Sequence, residues 1–326
     1  MKALLQPFNQ GRKHPFWVIV QKEVSDHIRS WRYIILLILI ALTGIGSLYT
    51  AMMTIRDAAS ADDVVKSFLF LKLFTISDGT LPPFITFIGF LGPLIGIALG
   101  FDAINSERNK GTLSRLMSQP IHRDYVINAK FVAALIVISV IFFALGFLVM
   151  GLGLIAIGIP PTPEEFWRII FFIILSIFYV AFWLNLAILF SVKFRQAATS
   201  ALTSIAIWIF FSVFFTMIIN LVANATLPSQ AANPEEILSY QQFVQNLMRL
   251  SPSQLFSEAT TTLLTPSVRS LGPLTMEQIY GAIPSPLPLG QSLLLVWPQL
   301  TGLIAATMVC FALSYVSFMG QEIRSR

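Results

Sequence analysis

Six apolar runs, each long enough to cross a bilayer as one helix, set what this chain can fold into. They cover approximately 33–55, 84–101, 131–159, 169–192, 197–222 and 292–319. About 20 helical residues span the roughly 30 Å of hydrocarbon in a membrane. The first run, YIILLILIALTGIGSLYTAMMTI, carries no charge. Charged residues make up 11% of the chain, against roughly 25% in a soluble domain. With 28 Phe, a single aqueous core of this size could not hide the apolar surface. The expectation is an all-α, polytopic membrane protein whose residues 1–326 form one membrane domain.

Details of the runs refine this. The third has 29 residues, so as one helix it reaches about 43 Å and must tilt, protrude or break. Gly151, Gly153 and Gly158 mark its far end as the weak place. Pro298 predicts a kink or a broken first turn in the sixth. The first run follows 32 mostly polar residues and lacks a cleavage-like end, so it reads as a retained helix rather than a signal peptide.

Charge sets the orientation. Six spans put both termini on one side, together with the 102–130 loop and the Lys193–Phe194–Arg195 turn. That side holds 15 basic and 6 acidic residues; the other holds 6 basic and 10 acidic. The basic side faces the cytoplasm. The basic residues are spread over membrane-proximal segments, which accounts for the net charge of +5 without nucleic acid.

Three segments outside the spans have structure of their own. Over 14–31, Phe16, Val20, Val24, Ile28 and Trp31 fall at helical spacing, as in an amphipathic interfacial helix. It suits a passive anchor and an elbow packed beside the 102–130 loop equally. In that loop, Gly111 and Pro120 bracket a stretch whose apolar residues Leu113, Leu116 and Met117 share one face. Such a loop is a lever that offers a partner a small sticky surface. The third segment, 223–291, predicts one helix from Asn233 to Leu250 and a second through LSPSQLFSEATTTLL, then a Pro- and Gly-rich stretch. It reads as an external cap resting on the membrane: a gate, a dimer contact or a dock for an extracytoplasmic protein.

Some chemistry is missing. There is no phosphate-cradling G-x-x-x-x-G-K-[ST] and no H-E-x-x-H. His14, His27 and His122 are isolated, and Cys310 is the lone cysteine. No Asp, Glu, Lys or Arg stands in the middle of a run, which argues against ion-coupled transport. The chain is expected to be no enzyme and to bind no cofactor or metal. The runs do contain small and weakly polar residues. Gly92, Gly96 and Gly100, with Gly89 and Pro93 beside them, form a double G-x-x-x-G for close helix approach. Ser200, Ser204, Ser212, Thr216 and Asn220 form a stripe that winds around the fifth run. It suits a pathway lining or helix-to-helix bonding equally.

Along nearly its whole length the chain resembles the permease subunits of type-2 ATP-binding-cassette (ABC) transporters. The most specific part is E-x-x-x-G-T-L-x-x-L-x-x-x-P-x-x-R, here Glu107, Gly111, Thr112, Leu113, Leu116, Pro120 and Arg123, with Lys130 beyond. The outer RLSPSQLFSEATTTLLTP is also similar to the subgroup that includes the copper-maturation permease of nitrous oxide reductase. The resemblance implies a pathway of two permeases, identical or related, in a prokaryotic plasma membrane. Two cytosolic ATPase subunits would carry ATP and Mg and drive export. Residues 106–122 would be the coupling helix. Leu113, Leu116 and Met117 would enter an ATPase groove, ringed by polar contacts from Glu107, Arg115 and Arg123. Two other readings stand beside it: a scaffold or sensor that docks a cytosolic partner without transport, and an ion-coupled secondary transporter.

Overall fold

The computed structural model describes residues 14–59, 68–158, 160–226, 233–272 and 286–321. No strand occurs among them. Hydrocarbon offers no water to backbone N–H and C=O groups, and a helix satisfies them within one segment. Each of the six apolar runs is accordingly a helix, and the protein is multi-pass.

The chain begins with α1 (Pro15–Ile28), bends at Arg29–Ser30, and enters the first span, α2 (Trp31–Ala59). A short α3 (Leu69–Thr75) precedes the second span, α4 (Phe84–Gly100). Two short helices follow, α5 (Asn105–Asn109) and α6 (Thr112–Met117). The third and fourth spans are α7 (Arg123–Ile157) and α8 (Pro163–Lys193). The fifth is α9 (Ala197–Ile209), a π-helical segment at Phe210–Phe214, and α10 (Phe215–Ala225). Then come α11 (Pro234–Met248), α12 (Pro252–Leu264) and the last span, α13 (Leu289–Met319).

The fourth span is the post of the bundle. Its most apolar stretch is 72% buried, against 11% for the fifth span. It packs against α4, α7, α9, α12 and α13. The contact with α4 brings the two backbones close together. A Cβ on Gly96 would stand 2.6 Å from the Val180 carbonyl oxygen, and one on Gly100 2.7 Å from that of Leu184. The glycine stripe is thus a packing face.

The third span does not break. α7 starts at Arg123, inside the expected loop, and runs unbroken to Gly158, whose φ of +76° ends it. Gly151 and Gly153 lie within the helix. Gly153 leaves room for Leu73 of α3, a helix the sequence reading left out. α13 continues through Pro298 without a broken turn.

The expected external cap is corrected. α11 and α12 form a helical hairpin whose second arm, α12, enters the bundle, while no described residue of α11 is buried. Leu263 accepts a hydrogen bond from Arg168 near the start of α8, whereas Phe256 stacks on Tyr179 with ring centroids 4.3 Å apart. Arg168 and Tyr179 are 11 residues apart, about 16 Å along a helix. The hairpin therefore descends to the middle of the fourth span. Much of the Pro- and Gly-rich stretch after it, 273–285, lies outside the described residues.

Candidate functional site

At one end of the bundle, the loop end, the segment between α4 and α7 meets α1 and the ends of three other helices. The expected single helix over 106–122 is two. Lys110 and Gly111 separate them, and Gly111 has a φ of +69°, which a side chain disfavours. The first turn is capped from a distance: the Ser191 hydroxyl accepts from the Ile104 and Asn105 backbone N–H groups at 2.9 and 3.2 Å. Arg108 donates to Gln321 and to the Val192 carbonyl, and Asn109 to the Arg195 carbonyl. Gln321 in turn donates to Val192 at 2.7 Å. The loop is bonded to the ends of the fourth, fifth and sixth spans.

An ion cluster ties α1 to the same loop. The Lys130 ammonium, 5% exposed, lies 2.8 Å from Glu107 and 3.0 Å from Glu23. Lys22 also reaches Glu23 at 2.8 Å and Asp26 at 3.1 Å. Burial would raise the Glu23 carboxyl, but Lys130 and Lys22 outweigh it and hold it below the usual glutamate value. Lys22 is raised by its carboxylates against the pull of burial. His27 is pushed down, chiefly by burial. On the same face α1 packs Ile19 and Val20 against Ala129 and Ala133 of α7. Of the two readings of residues 14–31, the elbow packed beside the loop is the observed arrangement.

The coupling residues divide. Leu113 is 2% exposed and belongs to the chain's own core, and Leu116 and Met117 are half-buried against it. Glu107 is held by Lys130. Arg123 donates to the Phe318 and Gln321 carbonyls at 2.6 and 2.5 Å and lies over the Phe318 ring. Leu113 is therefore unavailable to a partner's groove, and Glu107 and Arg123 serve inside the chain. The exposed surface of α6 and the turn after it is Thr112, Arg115, Ser118, Gln119 and Pro120, with Gly111 beside them. The reason is local. The apolar face of a six-residue helix is worth more against the span ends than in water. Between α1 and this loop lies a groove of about 1070 Å³ with apolar Val18, Leu99 and Leu116 and charged Lys22, Asp26 and Lys110.

The fifth-span stripe divides at the π-helical segment. Ser200 and Ser204 are fully buried toward the bundle, while Ser212 and Thr216 line a small cavity with the tip of the hairpin. Asn220 is exposed.

These features coincide with one sequence pattern. That of ABC-2 family transporter proteins matches residues 17–323, from α1 through the last span to the loop-end clamp.

The chain belongs to the ABC-2 transporter family.

Among curated proteins, this ABC-2 protein is 26% identical over 186 residues to the probable ABC transporter permease protein NosY of Stutzerimonas stutzeri, covering 57% of the chain and 62% of that protein. It is 30% identical over 115 residues to the same-named protein of Pseudomonas aeruginosa, covering 35% and 37%. The matched part thus spans about three fifths of the first relative's length and just over a third of the second's.

Several functional residues of this ABC-2 protein escaped the sequence reading. Glu23 had a signal: three residues after Val20 and four after Ile19, it sits on the apolar face of α1 and needs a cation there. Ser191 and Gln321 had none, because their partners are distant in sequence; Arg168 and Glu258 have one partner four residues away, but the others that bury them are distant. Arg168 is fully buried and donates to the Leu263 and Leu287 carbonyls, Ser292 and Glu164.

Proposed function

We propose that this protein is the pathway-forming permease of an ATP-driven exporter, with no catalysis of its own. One observation carries the reading: the α5–α6 segment is bonded at once to α1, α7, the end of α8, the α8–α9 turn and the residue just after α13. A push on its tip would move several spans together, as coupling to a separate motor requires. The loop end faces the cytosol in this reading, with both termini. Two copies of the permease, each docked on one ATPase subunit that holds ATP and Mg, form the transporter. Contact with the ATPase runs through Thr112, Arg115, Ser118, Gln119 and the exposed edges of Leu116 and Met117. The fifth span, least buried by its own chain and bearing exposed Val213, Met217 and Leu221, faces the second permease or lipid. The outer segment 223–291 is a candidate dock for an extracytoplasmic protein.

Arg115→Glu tests this. The residue is exposed, so the fold is spared and only the docking surface changes. The ATPase encoded with this chain should then no longer copurify with it. Wild-type copurification, or labelling of an introduced Arg115→Cys from the external medium, rejects the reading.

A further inference from the structure

The hairpin carries a buried carboxylate that the coupling machinery does not use. Glu258, 8% exposed, lies midway along α12. Its Oε2 accepts from Arg249 Nε at 2.9 Å and Gln299 Nε2 at 3.1 Å; its Oε1 accepts from Gln254 Nε2 at 3.2 Å and Gln245 Nε2 at 3.5 Å. The four donors come from α11, the turn after it, α12 and α13. The carboxylate stands between the level of Arg168 and that of Tyr179, inside the stretch that the spans cross. An ion at such depth is costly, and burying one for stability alone is poorly rewarded.

Two cavities flank it. The inner one, about 160 Å³, lies at the hairpin tip against the π-helical segment. Five of its eight lining residues, Ser212, Thr216, Ser251, Ser253 and Gln254, carry a hydroxyl or an amide. The outer one, about 390 Å³, is lined by Gln242, Gln245, Asn246, Arg249 and Gln299 among others. The donors to Glu258 belong to both: Gln254 to the inner cavity, and Gln245, Arg249 and Gln299 to the outer. This hydrogen-bonded knot therefore lies between the two. Gln299 is 3% exposed, and its Oε1 is buried with no partner among the described residues. It is an acceptor left for a passing donor. The π-helical segment adds a residue to its turn and so swings Ser212 and Thr216 toward the hairpin, after Ser204 and Trp208 have faced the bundle. Ser251 reaches the freed stretch through the Phe211 carbonyl at 3.4 Å.

We infer that the hairpin contains a gated passage for a small hydrophilic solute, with the Glu258 knot as the gate between an inner and an outer chamber. This rests on the permease reading and gives it a substrate class. An inner chamber with room for about five waters, at roughly 30 Å³ each, admits a solute of a few heavy atoms bearing donors and acceptors, and excludes a lipid.

The test needs no knowledge of the cargo. In the full chain carrying Cys310→Ala, Ser212→Cys reports the inner chamber and Leu294→Cys, exposed near the outer end of α13, reports general loosening. Intact cells are treated with the impermeant reagent methanethiosulfonate ethyltrimethylammonium. With Glu258 in place, Ser212→Cys should react slowly. Glu258→Ala should speed it about tenfold or more, the response of a gate weakened by roughly 1.4 kcal/mol, with Leu294→Cys unchanged. Glu258→Gln, which keeps the volume and one acceptor, should give a smaller rise. An unchanged rate at Ser212→Cys, or an equal rise at both reporters, overturns the passage. ATPase copurification is scored in the same variants and should persist. Its loss in Arg115→Glu concerns the permease reading alone, so the two readings fail separately.

Discussion

Phe256 of the hairpin stacks on Tyr179 at the midpoint of the fourth span, with ring centroids 4.3 Å apart and planes at 12°. The Tyr179 hydroxyl donates to the Gly89 carbonyl at 3.0 Å and meets Ser253 at 3.2 Å. Three segments far apart in sequence are locked there. Phe256→Ala removes a fully enclosed ring and should cost about 3–5 kcal/mol. The check is a lower unfolding temperature in detergent, with hydrogen exchange rising first in residues 252–264.

Lys130 is the buried cation between Glu23 of α1 and Glu107 of the coupling segment, with the exposed Lys22 beside it. Lys130→Ala leaves two carboxylates facing each other beside a buried surface. Lys22 still reaches both, so the loss should fall near about 3 kcal/mol, the low end for a broken buried pair. Exchange measurements should show α1 detaching while the spans keep their protection. Full protection of α1 would remove the clamp role.

Gly96 has no space for a side chain. Gly96→Ala puts a Cβ against the Val180 carbonyl and 2.9 Å from the Leu184 nitrogen. Both are backbone atoms of a helix, so α4 must shift from α8. Overpacking of this kind costs about 1–3 kcal/mol. Gly111→Ala should act differently: it has open space but a positive φ, so it strains the coupling turn alone. Thermal unfolding should separate the two, with Gly96→Ala the more damaging.

The attachment of α1 should weaken in mild acid. Burial depresses the His27 pKa, with Glu23 and Asp102 pulling it up and Lys130 and Arg32 pushing it down. The folded protein therefore binds a proton there less readily than the unfolded chain. The stabilisation is complete above the ordinary histidine pKa near 6.5 and is lost as pH falls through the lower folded value. Glu23 shifts the same way but in the carboxylate range, so it contributes only in stronger acid. Exchange of residues 15–28 followed from pH 7.5 downward should rise below about 6.5. His27→Gln should remove that step; a step that persists in the variant assigns it elsewhere.

What the sequence by itself determined is what a bilayer enforces locally. Long uncharged runs have no other stable form in hydrocarbon, so the six spans were legible, as were the amphipathic period of α1 and the close-packing stripe of Gly92, Gly96 and Gly100. The E-x-x-x-G-T-L stretch also marked the loop, though not which way its residues point. The tertiary structure alone decided that Leu113 turns inward, that Arg123 clamps Phe318, and that Lys130 unites Glu23 with Glu107. It alone took residues 252–264 from the surface into the bundle and set Glu258 at depth. The reason is physical: a period describes one helix in its solvent, whereas the partner of a buried charge or a carbonyl is fixed by which distant segment comes to lie beside it.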